Sequence, residues 1–132
     1  MDTYDVIVLG TGGAGLAAAV RAAHAGASVG LFERDTRVGG TTAWSGGMAW
    51  IPNHPHMPEY GATDSREQAL TYLRSLSHGM MIDELIESFV DHGPEMVSWF
   101  EEHTCVRFQG VAGWPDYHPE HPGGLQQGGR AL

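Results

Sequence analysis

The stretch Gly10-Thr11-Gly12-Gly13-Ala14-Gly15 decides how this chain is read. It follows a short apolar run, Val6-Ile7-Val8-Leu9, and opens an alanine-rich segment from Leu16 to Ala25. That order predicts strand, glycine turn and helix. Gly10 permits the tight turn out of the strand, Gly12 lets the backbone approach a pyrophosphate, and Gly15 lets helix and strand pack closely. A pyrophosphate belongs at the helix N-terminus, where unpaired N–H groups and the positive dipole end favour an anion. Gly26 is placed to stop the helix with a left-handed cap, and Ser28-Val29-Gly30-Leu31-Phe32 reads as a second buried strand. That strand ends at Glu33, 23 positions beyond Gly10. An acidic residue about 20 positions on suits a ribose hydroxyl, because a carboxylate accepts its hydrogen bond. In this context a dinucleotide-binding βαβ unit outranks an ordinary βαβ turn with Glu33 on the surface.

Beyond Glu33 a polar turn, Arg34-Asp35-Thr36-Arg37-Val38, leads into a second glycine-rich stretch, Gly39-Gly40-Thr41-Thr42-Ala43-Trp44-Ser45-Gly46-Gly47. Two glycine pairs bracketing hydroxyl residues let a backbone pass close to a ligand, and Thr41, Thr42 and Ser45 add short hydrogen-bonding groups. Alone it could be a surface loop; beside the first motif it reads as the second wall of the same site. His54 and His56 follow in a proline-punctuated segment. They lack a third ligand at a metal-site spacing, so they read as solvated loop histidines and no metal site is expected.

Asp64-Ser65-Arg66-Glu67 and Ser65-Arg66-Glu67-Gln68 both resemble a capping box. The helix after them carries Ala69, Leu70, Leu73 and Leu76 on one face and ends at His78-Gly79. A second helix starts near Asp83, with Leu85, Ile86, Phe89 and Val90 inward. Gly93-Pro94 is expected to interrupt it, Pro94 opening a third helix with Met96, Val97 and Phe100 inside and Glu101 and Glu102 outside. Val106-Arg107-Phe108 suggests a short strand. The proline-rich segment from Gly113 to Gly124 reads as a rigid pocket wall or a terminal tail, and its composition favours the tail. The last residues, Gly128 to Leu132, offer no closing element.

With 132 residues the chain is long enough for one core and short for an enzyme that must hold a dinucleotide and a second molecule. The net charge of −9 argues against nucleic acid and anionic membranes as general partners. Cys105 is the single cysteine, which excludes an internal disulfide and fits a reducing compartment. No apolar run approaches a membrane span, and no signal core is present at the N-terminus. The expectation is a cytoplasmic protein.

Taken together, Gly10-Thr11-Gly12-Gly13-Ala14-Gly15, Glu33, Gly39-Gly40-Thr41-Thr42 and Ser45-Gly46-Gly47 resemble the FAD-binding start of the fumarate reductase flavoprotein superfamily. Within it, Trp50-Ile51-Pro52-Asn53, the capped helix at Asp64-Ser65-Arg66-Glu67 and Pro115-Asp116-Tyr117 are similar to 3-ketosteroid Δ1-dehydrogenases. The resemblance implies an α/β fold: the N-terminal βαβ of a Rossmann-like FAD-binding domain plus helices, as an incomplete fragment of a larger two-domain flavoprotein. Residues 1–132 form part of that domain, with the βαβ unit and second glycine loop in 1–50 and a helical, pocket-lining segment in 51–132.

The implied cofactor is FAD. Gly10, Gly12, Gly13 and Gly15 accommodate its pyrophosphate and Glu33 its ribose. Gly40, Thr41, Thr42, Ser45 and Gly47 line it toward the isoalloxazine, and Ala14, Arg34 and Gly46 complete the binding set. Tyr117 is the implied catalytic residue. The family reaction moves a hydride from steroid C1 to flavin N5 while a tyrosine removes a proton from C2, acidified by the C3 carbonyl. The fragment by itself is expected to be inactive. Two alternatives stand beside this reading, a fumarate reductase-like FAD-dependent reductase and a non-catalytic FAD- or nucleotide-binding module.

Overall fold

The structure, a computed structural model, describes residues 3–132. The chain divides into two compact units, one ending at Gly47 and the other running from Met48 to Leu132.

The first unit is a βαβ motif. Strand β1 (Val6–Leu9) and strand β2 (Val29–Phe32) pair in parallel, Val6 opposite Val29 and Leu9 opposite Phe32, and helix α1 (Gly13–His24) connects them. A mutual lock joins the strand entrances: Ser28 donates through its amide (2.9 Å) and hydroxyl (2.7 Å) to Asp5 Oδ2, and the Asp5 amide donates to Ser28 Oγ (3.0 Å). At the other end the Gly10 amide continues the ladder to the Phe32 carbonyl at 2.7 Å. Gly10 turns with φ of 98°, in the region that glycine enters without penalty. A Cβ on Gly15 would lie 2.0 Å from the Gly10 carbonyl oxygen, so only glycine permits this approach of helix to turn. The strands are not buried on both sides as the apolar runs suggest. Ile7, Leu9 and Phe32 are exposed, Leu9 by 81%, because α1 covers one face only and no described residue covers the other.

The second unit is built on helices α2 (Arg66–Ser77) and α3 (Asp83–His103). Ser65 caps α2 by accepting from the Gln68 amide at 3.1 Å, which selects the second of the two possible boxes. His78 and Gly79, both at positive φ, end it. Arg66 pairs with Asp91 while Arg74 pairs with Asp83 and Glu87, so the helices run antiparallel. Ala69, Leu70, Ile86 and Val90 form the core between them, with Leu73 against it.

Helix α3 does not break at Gly93-Pro94 as expected. Pro94 lies inside it, where it removes one N–H. Ile86, Val90, Gly93 and Val97 are buried on both sides of that position, so packing carries the helix through. A Cβ on Gly93 would meet Ile51 Cγ2 at 3.0 Å. Val106-Arg107-Phe108 is not a strand either. Instead the chain end closes the unit. Ala49 and Leu132 exchange amide hydrogen bonds of 2.9 and 2.8 Å, Ala131 bridges Trp50, and Leu132 packs with Ile51 and Val97.

The centre of this unit is Arg130, whose side chain is fully buried. It donates to both oxygens of Asp64 and to Asp116 Oδ2, each at 2.7 Å. Its guanidinium lies 5.2 and 5.3 Å from the ring centroids of Trp50 and Tyr72. Asp116 also accepts from Trp50 Nε1 (2.7 Å) and the Leu125 amide (2.8 Å). The segment expected as a tail is therefore tied to the centre of this unit through Asp116.

The two loop histidines are not simply solvated. His54 is 1% exposed and lies 2.8 Å from the Gly129 carbonyl and 3.0 Å from the Tyr60 hydroxyl. His56 is held between Glu59 at 2.7 Å and Glu101 at 3.0 Å. Glu101, expected to point outward, also accepts from the Phe108 amide at 2.9 Å.

Candidate functional site

The end of β1, the start of α1 and the end of β2 converge on Thr11. Its amide (2.9 Å) and hydroxyl (2.5 Å) both donate to Glu33 Oε2, and its hydroxyl accepts from the Gly39 amide at 2.8 Å. One buried side chain thus ties the first glycine turn to the acidic strand end and to the second glycine loop. Glu33 Oε1 accepts from the Asp35 amide at 3.0 Å. These donors, the Thr11 hydroxyl first, lower the Glu33 carboxyl to about 2. The Arg34 backbone amide adds to this lowering.

Helix α1 begins without a side-chain cap and without an acidic residue in its first turn. The Gly13 amide donates to Thr42 Oγ1 at 2.9 Å. Among the described residues, the amides of Ala14 and Gly15 meet no acceptor, although the first amides of a helix need partners. An anion at this helix start supplies them. Thr42 sits in a short 3-10 helix, Gly40–Trp44. A Cβ on Gly40 would come within 3.3 Å of Gly12 Cα, so the second loop lies directly against the first. Ser45 donates to the Thr42 carbonyl (2.8 Å) and accepts from the Gly47 amide (3.1 Å), which folds the loop back on itself.

Two open pockets flank Glu33. One of about 460 Å³ lies between the strand ends, lined by Leu9, Gly10, Phe32, Glu33 and Arg34. The other, about 580 Å³, includes Glu33, Arg34, Gly40, Thr41 and Trp44. The first unit therefore brings Gly10, Gly12, Gly13, Ala14, Gly15, Glu33, Arg34, Gly40, Thr41 and Thr42 together, and Ser45, Gly46 and Gly47 finish the second loop. Open amides for a pyrophosphate and an ionised acceptor for a ribose are the donor set that a dinucleotide such as FAD requires. Thr11 was not singled out by the motif, in which its position is unspecified. Its hydroxyl between two motif glycines was the available signal.

Tyr117 belongs to the second unit and is 83% exposed. Its neighbours fix the backbone there: Asp116 is locked by Arg130, and the His118 amide donates to the Tyr72 hydroxyl at 3.2 Å. A rigid loop thus presents the Tyr117 ring outward. The pairing of Asp64 and Asp116 with Arg130 also escaped sequence reading, since 66 positions separate Asp64 from Arg130.

Along residues 5–131 the chain matches the model of the family described as FAD binding domain. It is 43% identical over 132 residues to the 3-oxosteroid 1-dehydrogenase of Mycobacterium tuberculosis H37Rv, covering 100% of this chain and 23% of that protein. It is 42% identical over 131 residues to the 4-oxocyclohexanecarboxylate 2-dehydrogenase of Sinomonas cyclohexanicum, covering 99% and 23%. Among solved structures it is similar to the 3-ketosteroid Δ1-dehydrogenase of Sterolibacterium denitrificans in complex with 1,4-androstadiene-3,17-dione. That match has a TM-score of 0.91 and 36% identity and covers 99% of this chain and 23% of the other. The chain thus spans about a quarter of the length of these relatives. Among the described residues no helix is long and apolar enough to cross a membrane. The glycine turn, the anchored Glu33 and the match along nearly the whole chain agree, and this chain belongs to the FAD binding domain family, with FAD as its cofactor.

Proposed function

We propose that this chain carries the FAD-cradling part of a flavoenzyme that dehydrogenates a cyclic ketone beside its carbonyl, with a 3-ketosteroid as substrate and C1–C2 as the bond oxidised. The observation that carries this reading is the set of acceptor-free amides beside the anchored Glu33, in a chain similar along its full length to 3-oxosteroid 1-dehydrogenases. When bound, FAD would supply the acceptor for the hydride, which carries both electrons of the oxidation.

The chain's own residues bind and orient. Gly10, Gly12, Gly13, Ala14 and Gly15 leave room and amides for the pyrophosphate. Glu33 accepts from the ribose, with Arg34 beside it. Gly40, Thr41, Thr42, Ser45, Gly46 and Gly47 line the remainder of the cofactor. Tyr117 takes part in removing the proton from C2, which the neighbouring carbonyl acidifies. Phenols in water lose their proton near pH 10, so a phenol acting as base needs a neighbour that favours the phenolate.

The Sinomonas relative favours a second reading of the same chemistry, in which the substrate is a small cyclic keto acid. Turnover of 4-androstene-3,17-dione and of 4-oxocyclohexanecarboxylate with an artificial dye, by the whole flavoenzyme that carries this chain, separates the two. The steroid is expected to give the larger kcat/KM and a product with a C1–C2 double bond. Oxidation of the keto acid alone would favour the second reading, and oxidation of neither would leave a binding module.

A further inference from the structure

We propose that His118, Glu120 and His121 form a binding site for a divalent transition-metal ion, Zn2+ being the ion best suited to them. Each of the three offers a ligand atom within 4.8 Å of those of the other two. This departs from the expectation of no metal site, which weighed only His54 and His56.

The loop is held in place rather than free. The His121 amide donates to the His118 carbonyl at 3.0 Å, and the Gly124 amide to the His121 carbonyl at 2.9 Å. The His118 amide donates to the Tyr72 hydroxyl. A Cβ on Gly123 would come within 2.3 Å of the Gln68 carbonyl oxygen, so the loop backbone lies directly on α2. Two backbone turns and a helix thus fix where both imidazoles start.

A hydrogen bond also sets the tautomer of His121. The Ser75 hydroxyl gives its one proton to the Tyr72 carbonyl at 2.7 Å, so towards His121 Nδ1, 3.2 Å away, it can only accept. His121 therefore carries its proton on Nδ1. His118 Nδ1 lies 3.2 Å from Glu120 Oε1, close enough for these two atoms to share one ion. His121 is left with an Nε2 lone pair, the form in which histidine binds metal while its other nitrogen donates to an outer partner. Two imidazoles and a carboxylate suit Zn2+, whereas Mg2+ and Ca2+ favour all-oxygen sets. Zn–N bonds of about 2.0–2.1 Å put tetrahedral ligands about 3.3 Å apart. His118 and Glu120 are more than half exposed and free to close that distance.

The test is titration of the purified FAD-loaded protein with Zn2+ in competition with a chromophoric chelator, a readout independent of dehydrogenase activity. One Zn2+ per chain is expected, retained in excess Mg2+. The double variant His118→Ala with His121→Ala should lose it. Ser75→Ala, which removes only the outer partner of His121, should weaken binding about ten- to hundredfold. Glu120→Gln alters an exposed side chain and serves if the double variant fails to fold; it too should weaken binding at least tenfold. Absence of Zn2+ binding, or equal binding by the parent and by whichever of these variants folds, would overturn the proposal.

Discussion

Glu33 carries three donors on its carboxylate before any nucleotide arrives, and its lowered pKa follows from them. Because the folded value is depressed, its contribution to stability is present above about pH 4.5 and is lost as pH falls toward about 2. The ribose is assigned to its Oε1, which accepts from the Asp35 amide. Glu33→Ala should therefore weaken FAD binding about ten- to hundredfold; dissociation constants within twofold of the parent would make Glu33 a brace for Thr11 only. Tyr117→Phe keeps the ring and deletes the hydroxyl. It should lower steroid turnover by about 10²–10⁴ with the flavin still bound, and a change under threefold would leave Tyr117 a wall. The histidines behave oppositely. Contacts with Glu59 and then Glu101 raise the pKa of His56, whereas burial lowers that of His54. The His56 contribution is thus present below about pH 6.5 and lost as pH rises through its raised pKa. That of neutral His54 is present above about pH 6.5 and lost as pH falls through its lowered one. NMR titration should show the two imidazoles moving on opposite sides of about pH 6.5; overlapping curves would contradict the burial and pairing described. Alternating prolines and histidines gave no hint of either environment, because the partners Glu101 and Gly129 are distant in sequence.

Element by element, the local signals were readable where the contacts are local. The glycine turn, α1, the Ser65 cap and the apolar stripe of α2 depend on neighbours a few positions away, and they fold as their residues suggest. Pro94 misleads because its local cost is outweighed by packing at Ile86, Val90 and Val97, which a single segment does not display. The region from Gly113 onward misleads more. Its prolines and glycines look like a tail, yet they carry Asp116 and Arg130 to Asp64 and Trp50. Removing one partner of a buried ion pair leaves the others uncompensated and costs about 3–5 kcal/mol. Arg130→Met should destabilise the protein by that order in urea denaturation. A loss below about 1 kcal/mol, the range of exposed pairs, would mean that the aromatic rings rather than the charges hold this centre.

At the scale of the whole molecule, the proposed function asks two things of the chain, a cradle for the flavin in the first unit and a proton-removing phenol at Tyr117 in the second. The βαβ geometry of the candidate site was legible because the backbone dictates it: glycine where the chain turns or approaches, an acidic residue where β2 ends. Its bracing was not, since Thr11 and Thr42 act across 22 and 29 positions respectively. The most direct test of flavin-dependent ketone dehydrogenation is the visible spectrum of the purified flavoenzyme that carries this chain, during anaerobic titration with 4-androstene-3,17-dione. The account predicts a yellow protein that releases one FAD per chain on denaturation and whose flavin bands bleach as steroid is added. A colourless protein that cannot be reconstituted with FAD, or flavin bands unchanged by saturating steroid and by 4-oxocyclohexanecarboxylate alike, would contradict it.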